Sequence, residues 1–446
     1  MYGLVVGVAS LSALTDIYGH GTPCNKDLFY STLSGTHFNL ADCVDRAEHA
    51  RKRKVLSTAY ALKNLESWEH KITDKVAMMI KQFDRRCTNP LKPGERPCPA
   101  DLTVDYRAWT NFFTMDAIAD IGLSEHLGFI VAGSDDIVGE KLNGDTYTTS
   151  YRECLHATLD AQSHLIWAYD WYKPLSKLSA MLSSQYSRWF KLAGNWDGVV
   201  YHRATKRLVR YQKGEKLDDF FQALMEDKNG KPNNLPWGEI VAEMSVMLNA
   251  GSASTAIAIN NTMYLLLKHP SALATLRAEL STVLTDHDEV VAYDQVKHLP
   301  YLRACLDESM RILPPTTFGL PRRTPAEGHS INGDYIAGDT SVSISAYVAH
   351  RDEAVFIDPE CFIPERWLGE QGKELQQYFI AFSAGSRGCI GRNISYLEQV
   401  ILLATMLHRY EFALPHPEWV PELREHFNLV PGPLPVKVWR RENYDA

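Results

Sequence analysis

The segment between Pro236 and Pro270 is the longest stretch of this chain that can form a single helix. No proline interrupts it, and apolar residues occupy most faces of its middle part. At about 1.5 Å per residue, a helix of roughly 30 residues is about 45–50 Å long. A helix that is apolar on most faces has to be enclosed by other elements. We therefore predict a fold built around this helix, in which the small residues at 250–255 allow close approach of a ligand or a partner.

Other segments are delimited by proline and glycine, which end regular structure. A proline pair at 314–315, for example, stops the helix before it. Short alternating apolar runs after residue 330 indicate strands of a small sheet, with further strands up to about residue 439. The predicted helices are 45–60, 300–313 and 391–408, the predicted strands 4–8, 330–339 and 341–345, and the predicted loops 19–40, 87–99 and 131–147. We expect a chain that is mainly α with a minor β part.

Composition excludes several classes of protein. The 446 residues are 45% hydrophobic and 22% charged, which is typical of a soluble globular protein with a substantial core. The net charge of −8 argues against a general nucleic-acid-binding role. The eight cysteines show no CxxC spacing, so we expect reduced thiols in a protein that faces the cytosol. The apolar start, residues 2–14, is too short to span a bilayer, which needs about 20 apolar residues.

A cysteine lies in a glycine-rich segment at residues 382–391, which we call the Cys loop. It reads Phe-Ser-Ala-Gly-Ser-Arg-Gly-Cys-Ile-Gly and is followed by a predicted helix. Glycines let the backbone approach a flat ligand closely. Loop amides and the helix N-terminus place partial positive charge near Cys389, which lowers a thiol pKa and favours the metal-ligating thiolate. A lone buried cysteine is otherwise a small apolar residue, but this surrounding pattern favours a ligand role.

The Cys loop resembles the cysteine-ligand loop of the cytochrome P450 family, Phe-x-x-Gly-x-Arg-x-Cys-x-Gly, at every fixed position. Residues 308–311 (Glu-Ser-Met-Arg) resemble the Glu-x-x-Arg motif of this family. Residues 364–367 (Pro-Glu-Arg-Trp) resemble its Pro-Glu-Arg segment. Residues 250–255 (Ala-Gly-Ser-Ala-Ser-Thr) lie where its oxygen-activating helix has an Ala-Gly-x-acid-Thr/Ser-Thr motif. The four motifs occur in the family's order.

The resemblance extends from about Tyr2 to Arg441 and is closest to fungal microsomal members, such as the benzoate para-hydroxylase group and secondary-metabolite oxidases. Residues 45–54 and 319–322 support that likeness. It implies one cytochrome P450 domain over residues 1–446, with the long central helix over a haem held by the Cys loop. We expect the domain to lack the N-terminal membrane anchor and several tens of residues that precede the first sheet strand in fungal members.

The resemblance implies heme b as cofactor, with the Cys389 thiolate as axial ligand of the iron. An axial thiolate donates electron density and favours O–O cleavage. Arginines suit the haem propionates because they stay charged and bind carboxylates bidentately. The implied cofactor-binding residues are His49, Arg53, Arg322, Phe382, Arg387, Cys389 and Gly391.

A structural role is implied for Glu308, Arg311 and Arg366. Glu308 and Arg311 are three residues apart and share one helix face. A buried ion pair needs a further hydrogen-bonding partner, which Arg366 supplies in this family. The alternative interpretation is a solvated surface pair.

The motif at 250–255 departs from the family at its acid, which is replaced by Ala253. Ser254 and Thr255 are the catalytic residues that the resemblance implies. Proton delivery must then use water, Ser254, Ser252 or the substrate itself. Three outcomes stay open: a hydroxylase for which Ser254 suffices, a slower or substrate-assisted oxidase, or a rearrangement or coupling that needs fewer protons.

The function implied by the resemblance is a haem-thiolate monooxygenase that oxidises a small organic molecule, expected to be a fungal secondary metabolite. It would use O2 and electrons from an NADPH-cytochrome P450 reductase, and the family's location is the cytosolic face of the endoplasmic reticulum membrane. A benzoate-type para-hydroxylase and a haem-binding relic with little turnover are the alternatives. A helical protein without haem is the third hypothesis.

Two further groups of residues can be assigned roles. Arg51, Lys52 and Lys54 form either a solvated face or a docking site for an acidic reductase. Substrate choice is assigned to 19–40, 155–200, 247–250, 316–319 and 427–430. Because no charged residue there is an obvious carboxylate anchor, a neutral or bulky apolar substrate is favoured.

Overall fold

The computed structural model describes residues 5–7, 11–33, 35, 37–285 and 290–441, and helices dominate this part of the chain, as predicted. The helices are α1 (Leu14–Tyr18), α2 (Arg46–Ser57), α3 (Leu62–Ser67), α4 (Glu69–Asp84), α5 (Tyr106–Leu123), α6 (Phe129–Ala132), α7 (Tyr151–Ser163), α8 (Tyr172–Leu182), α9 (Ser184–Gln212), α10 (Phe220–Met225), α11 (Trp237–Lys268), α12 (Pro270–Ser281), α13 (Tyr293–Val296), α14 (Pro300–Ile312), α15 (Ala346–Ala349), α16 (Gly369–Leu375) and α17 (Arg392–Arg409).

The strands are short and form small sheets. They are β1 (Val5–Gly7), β2 (Asn25–Lys26), β3 (Val104–Asp105), β4 (Asp136–Glu140), β5 (Thr146–Ser150), β6 (Arg322–Arg323), β7 (His329–Ile331), β8 (Asp334–Ile336), β9 (Ser341–Ser343), β10 (Tyr410–Ala413), β11 (Leu423–His426), β12 (Asn428–Pro431) and β13 (Pro435–Arg440). One sheet has the order β1-β9-β6-β2, with β1 parallel to β9, and a second has the order β10-β13-β3. Three hairpins pair β4 with β5, β7 with β8 and β11 with β12.

The helix predicted at 236–270 is confirmed as α11, and it lies at the centre of the core. Its neighbours α5 and α17 contact it on different sides. A Cβ atom at Gly251 would lie 2.7 Å from Cδ1 of Ile118 on α5, so only glycine permits this approach of the two helices. Among the described helices, α11 alone is long and apolar enough to cross a bilayer, and more than half of its apolar window is buried in protein.

The other predicted helices are confirmed as α2, α14 and α17, each with ends within three residues of the prediction. The predicted loop at 131–147 is wrong, because most of it forms the β4–β5 hairpin. The strands predicted after residue 330 do form, but in two places: β7 and β8 make a hairpin, whereas β9 joins β1 and β6. The predicted strand at 4–8 is observed at 5–7, and residues 4 and 8 lie outside the described part. All eight cysteines are free of disulfides, as expected.

A buried carboxylate, Glu308, joins α14 to the segment that precedes the Cys loop. Its two oxygens accept hydrogen bonds from Arg311 (2.8 and 2.9 Å), Arg366 (3.0 Å), Trp367 Nε1 (2.9 Å) and the Ile363 amide (2.9 Å). Both arginines also donate to backbone carbonyls. The structure therefore brings together the three residues that the sequence grouped, in a fully buried network in which the charges compensate one another.

His350 extends this network to the Cys loop. Its Nδ1 donates to the Arg311 carbonyl (3.2 Å) and its Nε2 accepts from the Ile380 amide (3.0 Å). Burial, with the nearby Arg311 charge, lowers the pKa of His350 to about 3, so the ring stays neutral and can accept at Nε2. The entry of the Cys loop is thereby fixed to the end of α14.

We expect Glu308→Gln to destabilise the protein by about 3–5 kcal/mol, because it leaves two buried guanidinium groups without a counter-charge. The free energy of unfolding, from urea titration followed by circular dichroism, measures this. Glu370→Gln is the matched control: Glu370 pairs with Lys373 at 2.7 Å, but the side chain is 85% exposed, and such pairs contribute less than about 1 kcal/mol. Equal losses in the two variants would contradict the structural role of Glu308.

Candidate active site

A cavity of about 1380 Å³ lies between α11, α7, the segment 37–42 and the Cys loop. Most of its wall is apolar. It brings together nine of the residues singled out in the sequence. They are His49, Arg53, Ser254, Thr255, Arg322, Phe382, Arg387, Cys389 and Gly391. Glu308, Arg311 and Arg366 lie outside the cavity wall, in the network behind the Cys loop.

The Cys loop is held in a tight backbone arrangement before α17. The Cys389 amide donates to the Phe382 carbonyl (2.8 Å), which closes the loop on itself. Gly385 has a φ of +64°, and a Cβ there would lie 1.9 Å from the Tyr18 carbonyl oxygen, so this position requires glycine. α17 starts at Arg392, immediately beyond Gly391. The loop therefore presents Cys389 to the cavity on a rigid turn.

The Cys389 thiol is enclosed by protein, yet its side chain has free surface towards the cavity. Burial raises the pKa of Cys389, whereas hydrogen bonds from the Gly391 and Arg392 amides lower it. The expectation of a depressed thiol pKa is therefore wrong for the protein without metal, because desolvation outweighs the amides. The amides nevertheless point at the sulfur, as a thiolate ligand requires.

Five basic side chains lie together on the cavity wall: Lys26, His49, Arg53, Arg322 and Arg387. Burial, then mutual repulsion, lowers the pKa of His49 to about 3 and that of Arg387 to about 10. The pKa of Lys26 is also lowered by burial, with the Arg322 and Arg387 charges adding to it. The wall thus carries an excess of buried positive charge. These charges repel one another, so the binding of an anion there is favourable.

The three arginines of this cluster bond to backbone carbonyls. Arg387 donates to Cys43 O at 2.7 Å, Arg53 donates to Gly388 O at 2.9 Å, and Arg322 donates to Pro321 O at 3.1 Å. In the part of the chain that the structure describes, none of them forms an ion pair with a carboxylate. Two haem propionates would supply the missing negative charge, and the thiol on the same cavity wall suits iron, so the residues present fit a haem.

The hydroxyl groups on α11 differ in their connections. Ser252 and Ser254 donate to the helix carbonyls of Leu248 (2.7 Å) and Ala250 (2.8 Å). Thr255 instead donates to Ser395 on α17 at 2.9 Å. Ala253, where the family has an acid, is buried. Thr255 thus links α11 to α17 just beyond the Cys loop, whereas Ser254 bonds within its own helix.

The basic face of α2 is not uniform. Lys52 is buried and donates to Glu239 (2.8 Å) and Glu243 (3.2 Å) on α11. The sequence suggested a solvated face or a docking site for an acidic reductase on the basic helix. Both interpretations are wrong for Lys52, because this lysine packs against two carboxylates. Arg51 remains 42% exposed and Lys54 is also at the surface.

Sequence reasoning missed three contributors to this site. Lys26 lies in a two-residue strand inside a predicted loop, so no pattern marks it. Ser395 follows Cys389 by six residues, and its link to Thr255 depends on helix packing. Glu243 was visible as one of two acids, with Glu239, on an otherwise largely apolar helix, which was a signal that could have found it.

Away from the basic cluster, the cavity wall has aromatic rings and neutral polar groups. Phe318 and Phe427 lie 5.4 Å apart, centroid to centroid, and tilted by 30°. Thr316 donates to Asn428 Oδ1 at 3.0 Å. These groups come from the segments assigned to substrate choice.

The comparisons with known proteins agree with this geometry. The family model described as Cytochrome P450 matches residues 26–438. A benzoate 4-monooxygenase of Aspergillus niger is 28% identical over 98% of this chain and 84% of its own. The cytochrome P450 monooxygenase atr2 of Stereocaulon alpinum is 29% identical over 93% of this chain and 78% of its own. A tryprostatin B 6-hydroxylase of Aspergillus fumigatus is 26% identical, covering 98% of this chain and 72% of that protein.

The family match extends over nine-tenths of the chain and includes the cavity, the Cys loop and the Glu308 network. From this match and the geometry of the site, we conclude that the chain belongs to the cytochrome P450 family and is a monooxygenase of that family.

Proposed function

We propose that this monooxygenase binds heme b through Cys389 and oxidises a small, neutral, aromatic or otherwise bulky apolar molecule of secondary metabolism. Electrons come from NADPH through a separate reductase, and the protein works at a membrane surface. The observation that carries the proposal is the joint presence, on one cavity wall, of the Cys389 thiol and a basic cluster whose three arginines, Arg53, Arg322 and Arg387, form no ion pair with a described carboxylate.

The residues divide the work of such a reaction. Haem, when bound, supplies the activation of dioxygen. Cys389 would hold the haem iron through its thiolate, with its amide hydrogen bonds favouring the charged sulfur. Arg53, Arg322 and Arg387 would hold the propionates, and the mostly apolar wall would limit water. Thr255, linked to Ser395, offers a hydroxyl to the same space.

The substrate class follows from charge on the cavity wall. The buried basic groups lie near the Cys loop, where the propionates would use them. The described wall near Phe318 and Phe427 holds Thr316 and Asn428 but no buried cation. Burying a carboxylate without a partner is costly, so a neutral molecule fits better than benzoate. The aromatic-acid alternative rests on the relative named benzoate 4-monooxygenase.

We assign α8, which has no buried residue, to the membrane surface. Trp171 just before it and Leu178, Met181 and Leu182 on it are 50–83% exposed. Exposed lysines occur at 173 and 177 on the same helix. Apolar side chains flanked by lysines on one short helix are typical of elements that lie in the lipid headgroup region.

Cys389→Ser is expected to abolish the red-shifted Soret band that the dithionite-reduced wild-type protein gives with carbon monoxide, because serine cannot supply a thiolate. The absorption difference spectrum measures this. Cys361→Ser, at an exposed cysteine outside the cavity, is the control and is expected to keep the band. A thiolate-type band in Cys389→Ser would remove this residue as ligand. Failure of wild type to bind haem would favour the hypothesis of a protein without haem.

Methyl benzoate is expected to bind at least about tenfold more tightly than benzoate, since an unpaired buried carboxylate costs more than about 1.4 kcal/mol. Titration of the ferric Soret band measures both affinities. Thr316→Lys places a cation at the neutral end of the cavity and is expected to narrow the difference. Tighter binding of benzoate to wild type would contradict the neutral-substrate proposal and support the aromatic-acid alternative.

The triple substitution Trp171→Ser, Met181→Ser and Leu182→Ser is expected to reduce binding to vesicles of phosphatidylcholine and phosphatidylserine by about tenfold or more, because it removes the apolar face of α8. Flotation of vesicles with the purified chain measures binding. Leu142→Ser, at a fully exposed leucine in the β4–β5 turn, is the control. Unchanged flotation of the triple variant would contradict a role of α8 at the membrane.

A further inference from the structure

The carboxylate of Glu243 forms part of the cavity wall, on the same helix as Ala253. It precedes Ala253 by ten residues, which is about 15 Å along a helix. One oxygen accepts from Lys52 Nζ (3.2 Å) and the other from the Leu40 amide (3.2 Å). The side chain is 3% exposed. Glu243 is therefore an acid of α11 that reaches the cavity from a position the family motif does not include.

Glu243 is connected to the protein surface by a continuous chain of charged groups. Lys52 Nζ bonds to both Glu243 and Glu239, and Arg51 bonds to both Glu239 and Glu48. Exposure rises along this chain, from 3% for the side chains of Glu243 and Lys52 to 11% for Glu239 and about 40% for Arg51 and Glu48. The chain joins bulk solvent to the cavity wall with no gap between successive partners.

The reaction class requires proton entry into a cavity whose wall is mostly apolar. Oxidation of a substrate RH by O2, NADPH and H+ gives ROH, H2O and NADP+. Each turnover delivers two electrons and two protons to the oxygen, and one oxygen atom leaves as water. The nearby serines of α11 donate to carbonyls of their own helix, and residue 253 is alanine. The site therefore needs an acid from elsewhere in its wall.

The other acids of the cavity wall are placed less favourably. Glu140 bonds to His202 at 2.7 Å beside the exposed β4–β5 turn, and Asp197 lies in that same region. Asp42 is beside Lys26 and accepts from the Asn39 amide. Glu243 is the acid on this wall for which the structure gives a charged route to solvent.

We propose that Glu243 carries protons from the solvent side, through Glu239 and Lys52, into the cavity during turnover, in place of the acid absent at 253. This inference rests on the proposed monooxygenase function. In each step, the Glu243 carboxyl gives its proton to a water molecule that enters the cavity and takes another from Lys52 Nζ, and Lys52 is reprotonated from the solvent side through Glu239.

The ionisation of Glu243 suits this role. Burial raises its pKa to about 7, against the Lys52 charge and the Leu40 amide, which lower it. The charged and titratable groups facing it are Lys52, Glu239 and the buried Tyr60 phenol, whose own pKa is raised by burial and by the Cys389 and Glu243 charges. Near pH 7, both the protonated and the ionised forms are populated, so the group can load and release a proton.

A rival explanation is that Glu243 only fastens the segment 37–42 to α11 through the Leu40 amide. The two roles can be separated by Glu243→Gln. An amide oxygen can still accept from Leu40, but it carries no titratable proton. A fastening role therefore leaves proton-dependent kinetics unchanged in this variant, whereas a proton-carrying role does not.

The test uses the haem-loaded full chain with an NADPH-cytochrome P450 reductase and no added substrate, since reduction of O2 to H2O2 also consumes two protons per NADPH. In wild type, NADPH oxidation is expected to slow as the pH rises through about 7, because the protonated form is lost. Glu243→Gln is expected to be about tenfold slower at pH 7, to lose that pH dependence and to show a larger solvent deuterium isotope effect. The added substitution Ala253→Asp is expected to restore the rate.

The matched control is Glu153→Gln, at a surface carboxylate paired with Arg188, which is expected to behave as wild type. Infrared pH-difference spectra give a readout independent of turnover: wild type should show a protonated-carboxyl band that titrates near pH 7 and is absent in Glu243→Gln. Loss of the carbon monoxide band in wild type would refute the proposed function. A normal carbon monoxide band without the titrating carboxyl band, or with identical pH profiles in both proteins, would overturn the role of Glu243.

Discussion

The site in this structure depends on one buried carboxylate, Glu308, whose charge is balanced by two arginines. Glu308 accepts five hydrogen bonds, and its two arginine partners bind carbonyls of the chain that leads into the Cys loop. Removing any of these groups would leave a buried charge exposed to a low dielectric. Because His350 bonds to both the Arg311 carbonyl and the Ile380 amide, the position of Cys389 depends on the same network.

In the cavity, the buried charges are not balanced in this way. There the three arginines form no ion pair with a described carboxylate, and burial with mutual repulsion lowers the pKa values of His49, Lys26 and Arg387. Burying like charges together is unfavourable, and the binding of an anion offsets that unfavourable free energy. The Glu308 network thus stabilises the fold, whereas the basic cluster stores binding energy for the cofactor. Buried charges that are balanced by partners thus mark structural residues, and buried charges that are not balanced mark binding residues. This distinction needs no comparison with a related protein.

Sequence predicted the features that depend on local pattern. The proline-bounded α11 follows from spacing, as does the shared helix face of Glu308 and Arg311. The structural role of that pair with Arg366 and the ligand role of Cys389 were implied by the resemblance to the cytochrome P450 family. The β4–β5 hairpin was missed because its polar strands lie in a Gly- and Asp-rich stretch that also suits a loop. Lys26 and Ser395 could not be found, since their roles depend on which distant elements pack against them. The thiol pKa of Cys389 was predicted in the wrong direction because burial cannot be read from a motif.

The position of Lys52 shows that the role of a charged residue on a helix cannot be assigned until the packing of that helix is known. In sequence it belongs to a basic run that suits solvent, but α2 turns this one lysine onto α11, where two carboxylates share it. This position affects the chemistry of Glu243. Burial raises the pKa of Glu243 to about 7, the Lys52 charge opposes that rise, and the Glu239 charge adds to it. The same two helices therefore both close the cavity and set an acid in its wall at a pKa where protons can move.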